Sequence, residues 1–263
     1  MEINFYKYHG AGNDFVIVDN RKKEYDFLTG EQVKKICDRH FGIGADGLML
    51  LNEKPGYDFE MIYFNSDGRP GSFCGNGSRC IVKFALQSGI EKENYLFTAS
   101  DGIHEAKLNA DGTISIKMQD VDTIQLHHGD YILNTGSPHY IKIVTDLLHF
   151  DVVKKGKEIR CHEDFEKEGI NVNFVEPDTE PDKIMVRTYE RGVENETLSC
   201  GTGVTAAALV CYHNENGFNE VEVKTIGGKL NVEFDRTADG HYNNVWLLGP
   251  AEKVFEGTFE LKN

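Results

Sequence analysis

The sequence has no segment that would direct it to or through a membrane. Residues 1–5 contain no basic stretch followed by an apolar one, so we expect no secretory signal. The chain also lacks a run of about 18 apolar residues, the length needed for a membrane-spanning helix. These absences predict a cytoplasmic protein that does not act on membranes.

Positive charge is scarce. The chain has 28 Lys and Arg residues against 43 Asp and Glu residues, a formal net charge of −15. A surface this negative repels phosphate backbones, so nucleic acid is not expected as a partner. A small zwitterionic ligand remains compatible, because it responds to local groups rather than to total charge.

The cysteines lack the spacing of common metal or redox sites. There is no Cys-x-x-Cys pair and no Cys/His cluster with zinc-finger spacing. His127-His128 is a metal-site fragment at most, and we interpret it as an exposed loop pair, so no metal is predicted. Without an export signal, reduced thiols are expected at all six positions. These are Cys37, Cys74, Cys80, Cys161, Cys200 and Cys211.

The chain does contain the alternating pattern of short strands, with only a few helices. Asn109–Gly112 has the composition of a hairpin turn. A helix is predicted from Gly30 to His40, with Thr29 as N-cap and Gln32 completing a capping box. Strands are predicted at Tyr57–Phe64, Glu105–Leu108, Thr113–Met118, Lys183–Tyr189, Val221–Thr225, Lys229–Phe234 and Asn244–Leu248.

Two further predicted helices, Gly75–Ser88 and Thr202–His213, begin with nearly the same phrase. The first follows Cys74 in Cys-Gly-Asn-Gly and the second follows Cys200 in Cys-Gly-Thr-Gly. The phrases lie about half a chain length apart, and strand-rich sequence follows each. This pattern indicates an internal duplication that places Cys-Gly-x-Gly at the start of a helix in each half.

A cysteine at the start of a helix is suited to proton transfer. The partial positive charge there lowers a thiol's pKa, and the unpaired backbone N–H groups can hold a carboxylate. Two such helices facing each other across a cleft would place Cys74 and Cys200 on opposite faces of one α-carbon. One thiolate would remove the α-proton and the other thiol would return a proton from the opposite side. No cofactor is predicted, so preorganised donors must stabilise the carbanion.

The remaining motifs narrow the choice of site. The other four cysteines are interpreted as packing residues, because none has this glycine-rich setting. Gly42–Gly47 formally matches the dinucleotide fingerprint, but a helix precedes it and the strand-like Leu48–Leu51 follows. That order is the reverse of a Rossmann site, which we therefore exclude.

The ordered set of motifs resembles the diaminopimelate epimerase family. The matching phrases are Gly12-Asn13-Asp14-Phe15, Gly42-Ile43-Gly44-Ala45-Asp46-Gly47, Phe64-Asn65-Ser66-Asp67-Gly68, Cys74-Gly75-Asn76-Gly77, Pro138-His139, Asn171-Val172, Glu190-Arg191-Gly192, Glu196-Thr197 and Cys200-Gly201-Thr202-Gly203. The resemblance implies an α/β (α+β) fold of two pseudo-symmetric halves, each a curved, mostly antiparallel sheet or barrel around a central helix, with the active site between them. We place the halves at residues 1–118, joined by 252–263, and 119–251. Family members are commonly homodimers.

The resemblance also implies a reaction, the interconversion of LL- and meso-2,6-diaminopimelate in lysine and peptidoglycan precursor synthesis. Cys74 and Cys200 would be the acid/base pair, and His139 and Glu190 would influence their pKa values. The implied substrate-binding residues are Asn13, Asn65, Gly75, Asn76, Asn171, Glu190, Arg191, Gly201 and Thr202.

Three departures from the family pattern touch this expected site. Gly47 stands where some members carry Gln, and Ser137 stands where many carry Asn. The stretch from Glu190 to Cys200 is one residue longer than the common spacing, which predicts a bulge near Glu194. None of these departures removes an acid/base residue.

Three alternatives stay open from the sequence. Another two-thiol racemase, such as a proline racemase relative, would share the two cysteines. Its substrate would be a monocarboxylate, which has no distal amino and carboxylate groups for the enzyme to bind. A non-catalytic amino-acid-binding protein would need neither sulfur. A redox protein would require Cys74 and Cys200 to cycle through a disulfide.

Overall fold

The computed structural model describes residues 2–71, 73–211 and 216–261. The chain divides into two compact units: unit 1 is Met1–Ile116 with Gly249–Asn263, and unit 2 is Lys117–Leu248. Among the described residues, no helix is both long and apolar enough to span a bilayer.

Unit 1 consists of one run of paired strands and two helices. Its elements are β1 (Glu2–Gly10), β2 (Asn13–Asp19), α1 (Gly30–Cys37), β3 (Gly47–Asn52), β4 (Glu60–Asn65), α2 (Gly75–Gln87), β5 (Asn94–Ala99), β6 (Gly102–Leu108), β7 (Ile114–Lys117) and the last strand of the chain, β17 (Glu252–Glu260). The strands are paired in the order β17-β1-β2-β3-β4-β5-β6-β7. Only the β2/β3 and β4/β5 pairs are parallel.

Unit 2 repeats this plan. Its elements are β8 (Gln125–His127), β9 (Asp130–Asn134), β10 (Pro138–Ile143), a 3₁₀ turn (Leu147–His149), α3 (Val152–Arg160), β11 (Asn171–Pro177), β12 (Lys183–Glu190), β13 (Asn195–Thr197), α4 (Gly201–Cys211), β14 (Gly217–Thr225), β15 (Gly228–Arg236) and β16 (Tyr242–Gly249). The strands are paired in the order β8-β9-β10-β11-β12-β14-β15-β16, and β13 pairs with β12. Only the β10/β11 and β12/β14 pairs are parallel.

The two units therefore share one succession of strand pairings, with parallel pairs at the third and fifth steps. This repeat confirms the predicted mixed α/β fold of two pseudo-symmetric halves. Among the described residues no ladder joins β7 to β17 or β8 to β16, so each sheet is open rather than closed into a barrel.

Alternating side chains bury both faces of the unit 1 sheet. Val16 and Leu48 pack toward Val33 and Ile36 of α1, while Met49, on the other face, approaches α2. This follows from the two-residue period of a strand. Helix α4 of unit 2 is almost entirely apolar and buried, as expected for a helix surrounded by its sheet.

The predicted starts of α1 and α2 are confirmed, and α4 begins at Gly201, one residue before the predicted Thr202. Helix α1 begins at Gly30 with Thr29 as N-cap and the full capping box to Gln32, but it ends at Cys37 rather than His40. Helix α2 ends one residue earlier than predicted. The predicted end of α4 at His213 lies outside the described residues. The 109–112 turn joins β6 to β7, as its composition indicated.

Candidate active site

Each central helix begins directly after a cysteine. Cys74 is the N-cap of α2, with extended backbone angles of φ −126° and ψ 112°, and its carbonyl accepts from the N–H of Ser78 at 2.7 Å. The carbonyl of Cys200 accepts in the same way from Val204, at 2.8 Å. In both helices the N–H groups just after the cysteine have no acceptor within the helix. Each helix start can therefore hold a carboxylate.

Cys74 lies beside two of the predicted substrate-binding residues. Its Sγ is 3.7 Å from Oδ1 of Asn13, and Nδ2 of Asn76 donates to the same oxygen at 3.4 Å. Nδ2 of Asn13 donates to Asp46 at 2.6 Å, which fixes the orientation of the amide. Unit 1 thus brings Asn13, Cys74 and Asn76 into one cluster.

Asn13 is bound to a network of charged side chains that the sequence did not predict. Asp14 is 2.6 Å from Nζ of Lys7 and 2.7 Å from Nη2 of Arg39, which also contacts Asp46 at 2.7 Å. Burial raises the pKa of Asp14, but hydrogen bonds and charge from Arg39 and Lys7 outweigh burial and lower it to about 2. The Asp14 carboxylate consequently stays ionised at neutral pH, and Arg39 links it to Asp46, which holds the Asn13 amide.

Arg79 is a second residue that sequence reasoning missed. It is fully buried on α2; its Nη2 donates to Oδ1 of Asn76 at 2.8 Å and its Nε to the carbonyl of Pro250 at 3.3 Å. Burial lowers the pKa of its guanidinium to about 10, a shift that the neighbouring sulfurs of Cys80 and Cys74 oppose. The group remains a cation at neutral pH, and it orients the Asn76 amide.

Asn65 is exposed at the end of β4, opposite Gly47 on β3. A Cβ at Gly47 would lie 2.5 Å from the ring of Tyr63. The local packing therefore accounts for glycine at this departure from the family pattern.

Cys200 is buried beside hydroxyl groups in unit 2. Its Sγ is 3.5 Å from Oγ1 of Thr202, and the Thr202 carbonyl accepts from Thr135 at 2.8 Å. Thr205 donates to the carbonyl of Gly201 at 3.0 Å. These contacts fix the first turn of α4 around the sulfur.

A buried polar network lies under this helix start. Asn173 donates to Nδ1 of His139 at 3.0 Å and to the carbonyl of Tyr140 at 3.2 Å, and it accepts from Thr188 at 2.8 Å. Since Nδ1 of His139 accepts, the neutral ring carries its proton on Nε2, which has no hydrogen-bond partner among the described residues. Burial, assisted by the charge of Arg191, lowers the pKa of His139 to about 3. His139 is therefore a neutral donor rather than a cation.

A Cβ at the third residue of either central helix would collide with a side chain of the sheet. A Cβ at Gly77 would lie 1.9 Å from Cε of Met49, and one at Gly203 would lie 2.2 Å from Oδ1 of Asn173. Each helix start can approach its sheet this closely only because a side chain is absent there.

The remaining predicted residues of unit 2 form one cluster. Asn171 accepts from the backbone N–H of Arg191 at 2.8 Å and donates to Ser137 Oγ at 3.0 Å, and Arg191 Nη2 lies 3.5 Å from the same hydroxyl. Glu190 accepts from Thr197 at 3.0 Å. Ser137, the second departure, is thus the shared partner of Asn171 and Arg191.

The longer stretch after Glu190 forms the turn between β12 and β13. Glu194 adopts a left-handed conformation there, with φ 54°. Its carboxylate accepts from the Tyr189 hydroxyl at 3.2 Å and from the N–H of Gly192 at 3.1 Å. The irregularity therefore lies at the predicted position and is fixed by local hydrogen bonds.

Three of the other four cysteines match the packing interpretation. Burial raises the pKa of Cys37 and of Cys211 to about 12, and it also raises that of Cys80. The interpretation was wrong for Cys161, which is exposed at the C-terminal end of α3.

Comparison with known proteins points to one family. A profile described as diaminopimelate epimerase matches residues 5–124 and 131–254. The diaminopimelate epimerase of Flavobacterium psychrophilum is 44% identical over 97% of this chain and 100% of its own length, and that of Aquifex aeolicus is 40% identical over 97% of each. Among solved structures, a Bacillus anthracis phenazine biosynthesis protein of the PhzF family is similar in fold, with a TM-score of 0.76 at 17% identity over 99% of this chain and 100% of that one.

Proposed function

This chain belongs to the diaminopimelate epimerase family, and from that premise we propose that it interconverts LL- and meso-2,6-diaminopimelate with Cys74 and Cys200 as the acid/base pair. The proposal rests on one structural feature that occurs in both units. Each unit supplies a cysteine as the residue before its central helix, followed by glycine and buried backbone. Two sulfurs in equivalent settings are what a two-base inversion of one carbon requires.

The reacting α-carboxylate is assigned to the helix starts. Backbone N–H groups at Gly75 and Asn76, and at Gly201 and Thr202, would donate to its oxygens. This placement uses the positive end of each helix dipole and fixes the carboxylate before the reaction begins. Asn13, next to Cys74, would limit the positions open to the substrate.

The proton transfer needs no external oxidant or reductant. The thiolate of one cysteine takes the α-proton and becomes a thiol, and the electron pair remains on the substrate as a carbanion with enediolate character. The thiol of the other cysteine then protonates the opposite face and becomes a thiolate. Product and substrate differ only in configuration, and the two sulfurs have exchanged protonation states.

The carbanion is the difficult species, because its charge must be held by groups already in place. Donors aimed at the carboxylate contribute most, and removing one such donor typically costs about 3–4 kcal/mol of barrier. The neutral Nε2–H of His139 and the buried cation of Arg79 support this part of the proposal, since both lie close to a helix start.

Asn171, Arg191 and Glu190 are assigned to the distal end of the substrate. The guanidinium of Arg191 suits a carboxylate, and the carboxylate of Glu190 suits an ammonium. Ser137 would hold Asn171 and Arg191 together, as its hydrogen bonds indicate. Asn65 is assigned to the same role from unit 1.

The assignment predicts that Cys74→Ala and Cys200→Ala each reduce inversion of LL-diaminopimelate by roughly 10²–10⁴-fold, the usual contribution of a general acid or base. The measurement is the appearance of the meso isomer in D₂O, with deuterium at the α-carbon followed by mass spectrometry. Cys80→Ala, which removes a buried cysteine of α2, is the matched control and should keep more than half of the activity. If either single variant inverts at near-native rate, the two-base assignment is wrong.

L-Proline serves as the competing substrate in the same assay. Turnover of L-proline in preference to LL-diaminopimelate would assign the chain to the two-thiol racemases that act on monocarboxylates. A homodimer and a cytoplasmic location stay predictions, and light scattering after gel filtration tests the first.

A further inference from the structure

A tight turn in unit 2 places two histidines side by side. The turn joins β8 to β9 through His128 and Gly129, whose φ angles of 51° and 88° are both left-handed, and the pair that closes it is His127 opposite Asp130. Successive residues of a strand point to opposite faces. Here the ring centroids of His127 and His128 are only 4.4 Å apart, at an interplanar angle of 71°. The uncommon left-handed conformation of His128 thus brings the two imidazoles together.

A carboxylate from a different part of the unit meets this pair. Asp164, in the segment after α3, places Oδ2 at 3.3 Å from Nε2 of His127. Nδ1 of His162 approaches the same oxygen at 3.2 Å. Within residues 2–71, 73–211 and 216–261, His127, His128 and Asp164 are the one set of three whose ligand atoms all lie within 4.8 Å of one another.

We propose that His127, His128 and Asp164 bind a divalent transition-metal ion of the Zn²⁺ type, with His162 or water as the fourth ligand. Imidazole nitrogen with a single carboxylate suits Zn²⁺ and its neighbours rather than Mg²⁺ or Ca²⁺, which prefer all-oxygen sites. Ligands at the usual bond lengths in a tetrahedral zinc site lie roughly 3.4 Å from one another. The two nitrogen–oxygen distances at Asp164 already have this size.

The neighbouring groups explain why Asp164 rather than Asp130 is the carboxylate ligand. Oδ2 of Asp130 accepts from the Tyr140 hydroxyl at 2.6 Å and from Nζ of Lys142 at 2.7 Å, so its charge is already compensated. The ring of Phe165 packs 5.5 Å from that of His127 and gives the site an apolar side. An ion here would connect the β8–β9 hairpin to the segment after α3. Its expected effect is on stability rather than on catalysis, and it does not depend on the proposed function.

The competing explanation is a plain ion pair of Asp164 with protonated His127 and His162. That explanation accounts for the two short distances at Asp164, whereas a metal site would also use the neighbouring His128 ring. Direct measurement of metal binding separates the two explanations.

The test is calorimetric titration of the chelator-treated chain of residues 1–263 with Zn²⁺. The background carries Cys74→Ala, Cys200→Ala and Cys161→Ala, because cysteine thiolates bind zinc themselves. We expect one Zn²⁺ per chain and a rise of several degrees in Tm, since a ligand that binds the folded state stabilises it. Mg²⁺ should produce neither effect.

Substitution of the proposed ligands decides whether this site is where Zn²⁺ binds. His127→Gln and Asp164→Asn should each weaken Zn²⁺ binding at least tenfold without changing the metal-free Tm, because both side chains are partly or largely exposed. His149→Gln removes one member of an exposed His–Asp pair in the same unit, 2.7 Å apart, and should leave binding unchanged. The proposal is overturned if no saturable binding occurs or if both ligand variants bind Zn²⁺ as tightly as the His149 control.

Discussion

The two units have the same strand order and the same helix start, but the surfaces under their central helices differ in polarity. In unit 1 the first turn of α2 lies over Met49 and Phe15, both apolar. In unit 2 the first turn of α4 lies over Asn173 and His139, both buried and polar. The positions correspond, because Phe15 pairs with the first residue of β3 and His139 with the first residue of β11.

The two units therefore share a backbone plan but differ in the charge of the groups around their helix starts. Unit 1 places its ionised groups around Asn13, where the buried Lys7 and the exposed Arg39 compensate Asp14, and it also buries Arg79 completely. Unit 2 uses a neutral network in which every hydrogen bond is buried. Because a buried polar group that loses its partner is costly, this arrangement should be the more sensitive of the two to single substitutions.

The largest expected effect comes from giving unit 2 the residue that unit 1 has at the corresponding position, which is methionine (Met49) in place of Asn173. Asn173→Met leaves the ring nitrogen of His139 and the hydroxyl of Thr188 without their partner. Buried unsatisfied groups cost about 1–3 kcal/mol each, so we expect a loss of about 3 kcal/mol or more in the free energy of unfolding. Urea denaturation measures this loss, and a change below about 1 kcal/mol would show that the network contributes little.

A triple variant separates stability from function. His139→Phe/Asn173→Met/Thr188→Val replaces the whole network by apolar groups, which can be nearly neutral when both partners of a hydrogen bond are removed. We expect it to recover at least half of the lost stability while turnover stays at least tenfold below native, because the Nε2–H donor is gone. Full recovery of turnover would remove His139 from the proposed mechanism.

Alanine substitutions at Gly77 and Gly203 provide a second test of the difference between the two surfaces. A methyl group at Gly77 meets the end of the flexible Met49 side chain, whereas one at Gly203 meets Asn173, which three hydrogen bonds hold. Overpacking typically costs about 1–3 kcal/mol, and methionine adapts better than most residues. Gly203→Ala should therefore destabilise the chain by about 2 kcal/mol more than Gly77→Ala. Equal losses in urea denaturation would mean that the polarity of the surface under the helix is irrelevant.

The sequence predicts the helix starts well because their signals are local. The Cys-Gly-x-Gly phrases and the capping box at Thr29 lie within a few residues of the features they specify. Helix α3 is not predicted, because Gly156 in its interior lowers helix propensity by about 1 kcal/mol relative to alanine. In the structure that glycine is needed, since a Cβ there would lie 2.3 Å from Cβ of Tyr189.

The buried polar residues are beyond sequence reasoning for a different reason. Arginine and asparagine are usually exposed, so nothing nearby in sequence marks Arg79 or Asn173 as buried. Asn173 acquires its role from His139, 34 residues earlier, and from Thr188, 15 residues later. Likewise, Asp46 reaches Asn13 from 33 residues away. The predicted site residues could be named from motifs, but the groups that orient them follow from strand pairing.

A further expected difference between the units appears in acid. The pKa of His139 is about 3 in the folded chain against 6.5 for an ordinary histidine, so below about pH 6.5 the unfolded chain binds a proton that the folded chain does not. Stability is therefore lost as pH falls from about 6.5 toward 3, with a slope that approaches about 1.4 kcal/mol per pH unit. His139→Gln should remove this slope.

Asp14 provides the matched control from unit 1. Its pKa is about 2 in the folded chain against 3.8, so its contribution is present above about pH 4 and is lost only as pH falls toward 2. Asp14→Asn should leave the slope between about pH 6.5 and pH 4 unchanged, as urea denaturation at several pH values can measure. If His139→Gln and the native chain have the same slope in that window, the ring of His139 takes up a proton in the folded state as readily as in the unfolded state. The contrast between the charged groups of unit 1 and the neutral network of unit 2 would then not hold.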